Sequence, residues 1–271
     1  NIILQVFSDT WKNGQYSCRE PGNFLYDYCQ GLGQHKCNHV ADDAMKPRTI
    51  DAVHESFKDF VKHIEENTVV TGIKAIDENF FLTTGSNIGL LGPPASGKTA
   101  IALNILNNTS KNGVKSVFAS LDMHRNRMFE KVMYKITGLP RDELYHKFQM
   151  DQEGPLMDKL KKEFGNVYFF NKSCPTVQDV RDYILACQES SGERIKLVMV
   201  DYFERVTSDM SDDTAASKRV AGELQDLVND LDVCLITLVQ PNKASIFSGP
   251  DQPIYNYSAI KGSAFVSQAF I

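Results

Sequence analysis

Residues 92–99 read Gly-Pro-Pro-Ala-Ser-Gly-Lys-Thr, the pattern G-x-x-x-x-G-K-T. The run before it, Ser86-Asn-Ile-Gly-Leu-Leu91, is short and apolar, as a buried strand should be. The run after it, Ala100-Ile-Ala-Leu-Asn-Ile-Leu106, places apolar residues at helical spacing. A loop of this composition between a strand and a helix start is a phosphate cradle. Its two glycines let the backbone bend so that several N–H groups face one phosphate, and the helix adds its positive dipole end. The residues expected to line it are Gly92, Pro93, Pro94, Ala95, Ser96, Gly97, Lys98 and Thr99. Lys98 is expected to reach the β- and γ-phosphates of ATP, and the Thr99 hydroxyl to ligate Mg²⁺.

The remaining strand candidates predict what surrounds the loop. Ser116-Val-Phe-Ala-Ser-Leu121, Val167-Tyr-Phe-Phe170, Ile195-Lys-Leu-Val-Met-Val200 and Val233-Cys-Leu-Ile-Thr-Leu-Val239 are largely apolar. They alternate with helical patterns over residues 125–137, 141–148, 177–189 and 215–231, and with one that closes over residues 159–164. Thr176 is expected to cap the helix at 177. This alternation predicts a parallel sheet flanked by helices. In such sheets ligands bind outside the carboxyl ends of the strands. Three of these strands stop at Asp122, Asp201 and Gln240. Asp201 follows four apolar residues and is the candidate second holder of Mg²⁺. Asp122 is the candidate base for the attacking water, and Gln240 a candidate sensor of the γ-phosphate. The plainer roles are a turn-capping Asp201, a helix-capping Asp122 and a loop amide at Gln240.

Length bounds the rest. The 271 residues suffice for one α/β domain of about 200 residues and a smaller appendage. We expect residues 1–45 to form a small segment, 46–67 a linker helix, and 68–271 the ATPase domain. Both ends of the sequence stop among apolar residues, so a fragment of a longer chain is expected. A net charge of −5 argues against a uniformly basic, nucleic-acid-coating surface but leaves room for a local basic channel. No run of 18 apolar residues is present to span a membrane. Use of ATP implies the cytoplasm, where disulfides are improbable. Residues 1–45 carry Cys18, Cys29 and Cys37 with His35 and His39. Cys18, Cys29, Cys37 and His39, with His35 as the rival ligand, could make a tetrahedral Zn²⁺ site. Their spacing lacks the tight C-x2-C pairing of zinc knuckles, and thiols packed as hydrophobes are the alternative. Residues 47–67 read as one amphipathic helix that packs either on its own domain or on a neighbouring subunit.

Taken together the motifs resemble the ATPase domain of DnaB-type hexameric replicative helicases, within the RecA-fold group and with a phage flavour. Thr71-Gly-Ile…Asp77 looks like that family's opening motif and residues 92–105 like its Walker A helix. Phe118-Ala-Ser-Leu-Asp-Met123 is similar to its strand carrying a catalytic glutamate, and Val198-Met-Val-Asp-Tyr-Phe203 to its Walker B strand. Leu238-Val-Gln-Pro-Asn-Lys243 is similar to its sensor motif, and Ile260-Lys-Gly-Ser-Ala-Phe-Val-Ser-Gln-Ala269 to its last motif. The resemblance runs from about residue 68 onward.

It implies an ATP-hydrolysing motor that moves along single-stranded DNA as a homo-oligomeric, hexameric ring, with a primase or helicase loader as partner. The alternative is a nucleotide-gated DNA-binding protein, a recombinase-like filament former or a loader, that separates no strands. The resemblance also implies channel loops at residues 207–217 and 242–258. The first is acidic, through Asp209, Asp212 and Asp213; the second offers Lys243, with Lys261 following. Both lysines could equally be solvated surface. Two departures stand out. Asp122 occupies the family's glutamate position, one methylene short. The family's arginine finger is expected downstream of Ile271.

Overall fold

The computed structural model describes residues 49–207, 213–240 and 269–270. The chain divides into two compact units, Asn1–Phe57 and Lys58–Ile271. The described elements begin with α1 (Ile50–Lys62), α2 (Ile64–Asn67) and α3 (Lys74–Asp77). One continuous helix was expected up to residue 67, and His63 interrupts it. Its N–H is shared between Asp59 O and Phe60 O, both at 3.2 Å, and its ring Nδ1–H donates to Asp59 O at 2.9 Å. The side chain thus competes for the carbonyl that would carry the helix onward.

The Lys58–Ile271 unit continues with β1 (Asn87–Leu91), α4 (Lys98–Lys111), β2 (Ser116–Ser120), α5 (Arg125–Thr137), α6 (Arg141–Gln149), α7 (Gly154–Phe164) and β3 (Val167–Phe170). Then follow α8 (Val177–Ser191), β4 (Leu197–Asp201), a 3-10 turn (Phe203–Arg205), α9 (Asp213–Leu231), β5 (Cys234–Val239) and β6 (Ala269–Phe270). The sheet is parallel throughout, in the order β3-β2-β4-β5-β1-β6. This is the expected parallel sheet flanked by helices. β2, β4 and β5 are buried along their whole length, which is why they read as continuous apolar runs rather than alternating ones.

Alternate strand residues feed two cores. Phe118, Leu197, Met199 and Ile236 pack with Leu103 and Leu106 of α4, Val132 and Met133 of α5, and Phe164 of α7. Val117, Val198, Val200 and Leu235 pack on the other face with Val180 and Ile184 of α8 and Leu224, Leu227 and Val228 of α9. Helix α7 begins earlier than its closing residues suggest: Pro155 sits in its first turn, where a missing N–H costs nothing. The expected cap of α8 forms as a full capping box. Thr176 Oγ1 accepts from Asp179 N–H at 3.2 Å, and Asp179 Oδ2 accepts from Thr176 N–H at 2.9 Å.

The segment before β1 is tied to the helix after it. Asp77 accepts from Thr71 N–H (2.8 Å), Thr71 Oγ1–H (2.7 Å) and Gly72 N–H (2.9 Å). Asn108, near the end of α4, donates to Thr71 O at 2.9 Å. Gly72 has φ +72°, and a Cβ there would lie 2.5 Å from the Asn108 amide nitrogen. Only glycine permits this approach.

Candidate functional site

The ends of β2, β4, β5 and β1 lie along one rim because the strands are in register. Ser120 pairs with Asp201, Asp201 with Leu238, and Val239 with Leu91. The loop of residues 92–99 leaves β1 at this rim and is held to the neighbouring strand by Gly92 N–H donating to Val239 O at 3.3 Å. It closes at Gly97, whose φ of +92° suits glycine and which sits at the N-cap of α4. The first-turn N–H groups of α4 have no intrahelical acceptor and no side-chain cap from Gly97, the arrangement that attracts anions.

Lys98 folds back over its own loop. Its Nζ donates to Gly92 O at 2.6 Å and Pro93 O at 2.9 Å. Burial holds its ammonium below the ordinary lysine range, partly offset by the negative charges of Asp201 and Glu204. Thr99 Oγ1 donates to Asp201 Oδ2 at 2.8 Å, across 102 positions of sequence. Asp201 is 5% exposed. Burial pushes its carboxyl above the usual range, and the Thr99 hydroxyl pulls the other way.

This donor set fits a hard divalent cation. Among the described residues the buried carboxylate has one neutral hydroxyl as its hydrogen-bond partner, and both offer oxygen. Mg²⁺ is ordinarily held by one or two such groups plus phosphates and water. A protein-only ligand cage is not needed; among the described residues no cluster of three His, Cys, Asp or Glu forms one.

Asp122 follows β2 after Leu121. It does not cap the next helix: His124 does, its side chain accepting from Asn126 N–H at 3.3 Å. Asp122 Oδ1 accepts instead from Arg205 Nη2 at 2.9 Å, with both side chains about half exposed. The Arg205 guanidinium also lies 5.7 Å from the centre of the Tyr202 ring. Gln240 follows β5 directly, and its backbone N–H donates to Glu204 Oε1 at 3.0 Å. Glu204 is exposed to solvent, although protein atoms crowd around its carboxyl. Burial raises its carboxyl above the usual range, against backbone hydrogen bonds and Lys98.

Three contributors to this rim were not anticipated. Glu204 and Arg205 sit in the turn after β4. Asn171 follows β3 directly, and its side-chain amide donates to Ser120 O at 2.8 Å and Met123 O at 2.7 Å. It therefore brackets the turn carrying Asp122. The rule that singled out Asp122, Asp201 and Gln240, a polar residue just past a strand, applies equally to Asn171. Leu121 N–H donates to Asp201 O at 2.8 Å and fastens the same turn to β4.

The family model of the DnaB-like helicase C-terminal domain matches residues 68–268. The chain belongs to that family. Its fold is shared by solved structures, among them the following two. One is described as a DnaB-like replicative helicase and its interactions with primase: 19% identity, TM-score 0.64, 82% of this chain and 54% of that one. The other is described as an ATPase domain: 20% identity, TM-score 0.65, 82% of this chain and 80% of that one. This chain thus spans about half the length of the first.

Within this DnaB-like domain the structure brings residues 92–99, Asp122, Asp201 and Gln240 to one rim. Lys243 and Lys261, expected near DNA, lie outside the described residues, as do Cys18, Cys29, Cys37 and His39 of the suggested zinc site and its rival His35. No helix among the described residues is long and apolar enough to cross a membrane.

Proposed function

We propose that this chain is the motor domain of a replicative DNA helicase, which hydrolyses ATP to move along single-stranded DNA as a homo-oligomeric ring. The observation that carries the reading is the Thr99–Asp201 bond of 2.8 Å, which joins the phosphate loop to the carboxylate of β4. Family membership over residues 68–268 supports the choice of motor.

Residues 92–99 would cradle the triphosphate, with Lys98 exchanging its two loop carbonyls for phosphate oxygens. Thr99 and Asp201 would hold Mg²⁺, which when bound neutralises charge on the β- and γ-phosphates. Asp122 Oδ1 is engaged by Arg205, leaving Oδ2 to accept a proton from the attacking water. The turn that carries it is pinned at Ser120, Leu121 and Met123, which would hold the shorter carboxylate in a fixed position. Gln240 would sense the γ-phosphate and pass its position to Glu204 through the backbone hydrogen bond.

We assign the motor to residues 68–271, a linker helix to 46–67, and a separate segment to 1–45, with Zn²⁺ at Cys18, Cys29, Cys37 and His39 tested by metal analysis. DNA contacts are assigned to Lys243 and Lys261, a primase or loader is the expected partner, and the cytoplasm of a bacterium or infected host cell the expected location. The test is unwinding of a forked duplex by the full-length gene product, with and without ATP. Unwinding that needs ATP and is lost in Lys98→Ala supports the motor. Filaments on DNA with no strand separation would replace it with the recombinase-like reading.

A further inference from the structure

The face of the sheet that carries Asp201 carries a second polar group with no assigned task. Along β2, Val117 and Ala119 enter the core shared with α8 and α9, while Phe118 enters the core shared with α4. Strand alternation puts Ser120 on the Phe118 side. Along β4, Leu197 and Met199 mark the same side, so Asp201 is there too, as its bond to Thr99 of α4 requires. Ser120 and Asp201 are register partners on adjacent parallel strands. Their side chains are therefore neighbours on the face turned to the phosphate loop.

Ser120 is 3% exposed, and its Oγ has no hydrogen-bond partner among the described residues. Other buried hydroxyls in this fold do find one: Thr109 Oγ1 donates to Ile105 O at 2.9 Å. In a helix such a carbonyl lies one turn back; a strand offers none. An orphaned buried hydroxyl costs folding free energy and asks for a reason. Ser116 and Thr237 are also orphaned. Ser116 lies at the opposite end of β2, and Thr237 shares its face with Leu235 and Val239, away from the loop. Ser120 alone of the three adjoins the carboxylate.

We propose that Ser120 is part of the Mg²⁺ site, its hydroxyl accepting a hydrogen bond from a metal-bound water while donating toward the Asp201 carboxylate. This rests on the motor reading above and adds a residue to its metal shell. Mg²⁺ gives up its water reluctantly, and the retained waters are strong donors that need fixed acceptors. A hydroxyl left unpaired in the free protein supplies one already desolvated and in place. Ser120 is a positioning residue: it would touch the ion's water, not the reacting phosphorus.

The test uses two readouts on the purified chain: melting temperature without nucleotide, and the Mg²⁺ concentration giving half-maximal affinity for ADP by calorimetry. Ser116→Ala is the control, with the same strand, face and chemistry away from the rim. Both alanine variants should melt about 2–4 °C higher, since each removes an unpaired buried hydroxyl. Ser120→Ala should raise the Mg²⁺ requirement about tenfold, the usual effect of losing an outer-shell partner; Ser116→Ala should leave it unchanged. Ser120→Thr keeps the hydroxyl and should keep the wild-type requirement. If Ser120→Ala fails to fold, Ser120→Cys, of similar volume and a poor acceptor, should show the same rise. A Mg²⁺ requirement within twofold of wild type in the folded variant overturns the proposal. Failure of the wild type to bind ADP at all would instead defeat the motor reading.

Discussion

Asp201→Asn should make the free protein more stable and the nucleotide-bound protein less so. The side chain is 5% exposed and has, among the described residues, one neutral donor, Thr99 Oγ1 at 2.8 Å. Leaving water costs a carboxylate several kcal/mol even after the protein relaxes, taken here as about 4. A hydrogen bond to a charged group returns roughly 2 kcal/mol. The balance, about 2 kcal/mol, is relieved by a neutral amide of the same shape. For a unit of this size each kcal/mol moves the melting temperature by roughly 2–4 °C, so Asp201→Asn should melt about 4–8 °C higher at pH 7 without nucleotide.

The pH dependence follows in sign. Burial raises the folded carboxyl above its unfolded value. Stability tied to this group is therefore fully present below the unfolded value, near 3.9, and lost as pH rises through the folded one. The gap between variant and wild type should close toward acid. With Mg²⁺ and ADP the order should reverse, because wild type gains binding energy that the variant lacks. Calorimetry at several pH values, with and without ligand, reads all of this. A free Asp201→Asn protein that melts at or below wild type at pH 7 would refute the reasoning, since Asp201 would then be a well-solvated structural partner.

Asn171→Ala should lower kcat for ATP about tenfold with KM unchanged, because two bonds of about 0.5–1.5 kcal/mol each hold the Asp122 turn. A raised KM with intact kcat in steady-state assays would place Asn171 in ground-state binding instead. Gly72→Ala should destabilise the unit by roughly 1–3 kcal/mol in urea unfolding, given its φ of +72° and the Asn108 side chain 2.5 Å from the new Cβ. An unchanged urea midpoint would mean that Asn108 moves aside freely. The hydrogen bond from Lys172, followed by that from Thr176 N–H, holds the Asp179 carboxyl at about 2 instead of 3.8. Its contribution is thus present above about pH 4 and lost on acidification to about pH 2. The melting-temperature gap between wild type and Asp179→Asn should close over that window; a constant gap would exclude the ion pair as its cause.

The sheet was readable because strands buried on both faces become uninterrupted apolar runs. β4 and β5 needed only a shift of one or two residues at their starts. The rim was readable where a polar residue ends such a run, as at Asp122, Asp201 and Gln240. Asn171 obeys the same rule but follows a short strand, Val167–Phe170, and an amide there reads as ordinary loop. Glu204 and Arg205 were hidden for another reason. Their partners, Gln240 and Asp122, are 36 and 83 positions away, and only the order of strands in space brings them together. Ser120 was hidden within a strand, where a small polar residue looks like filler. The break at His63 depends on one side chain capturing a carbonyl, an event that helical periodicity does not register.

The most direct test replaces Mg²⁺ with Mn²⁺ and locates the ion by anomalous scattering in crystals grown with a non-hydrolysable ATP analogue. The ion should be bound by the Thr99 hydroxyl and lie next to the Asp201 carboxylate, with the phosphates over residues 92–99. An ion remote from Asp201, or a nucleotide away from that loop, would contradict this placement.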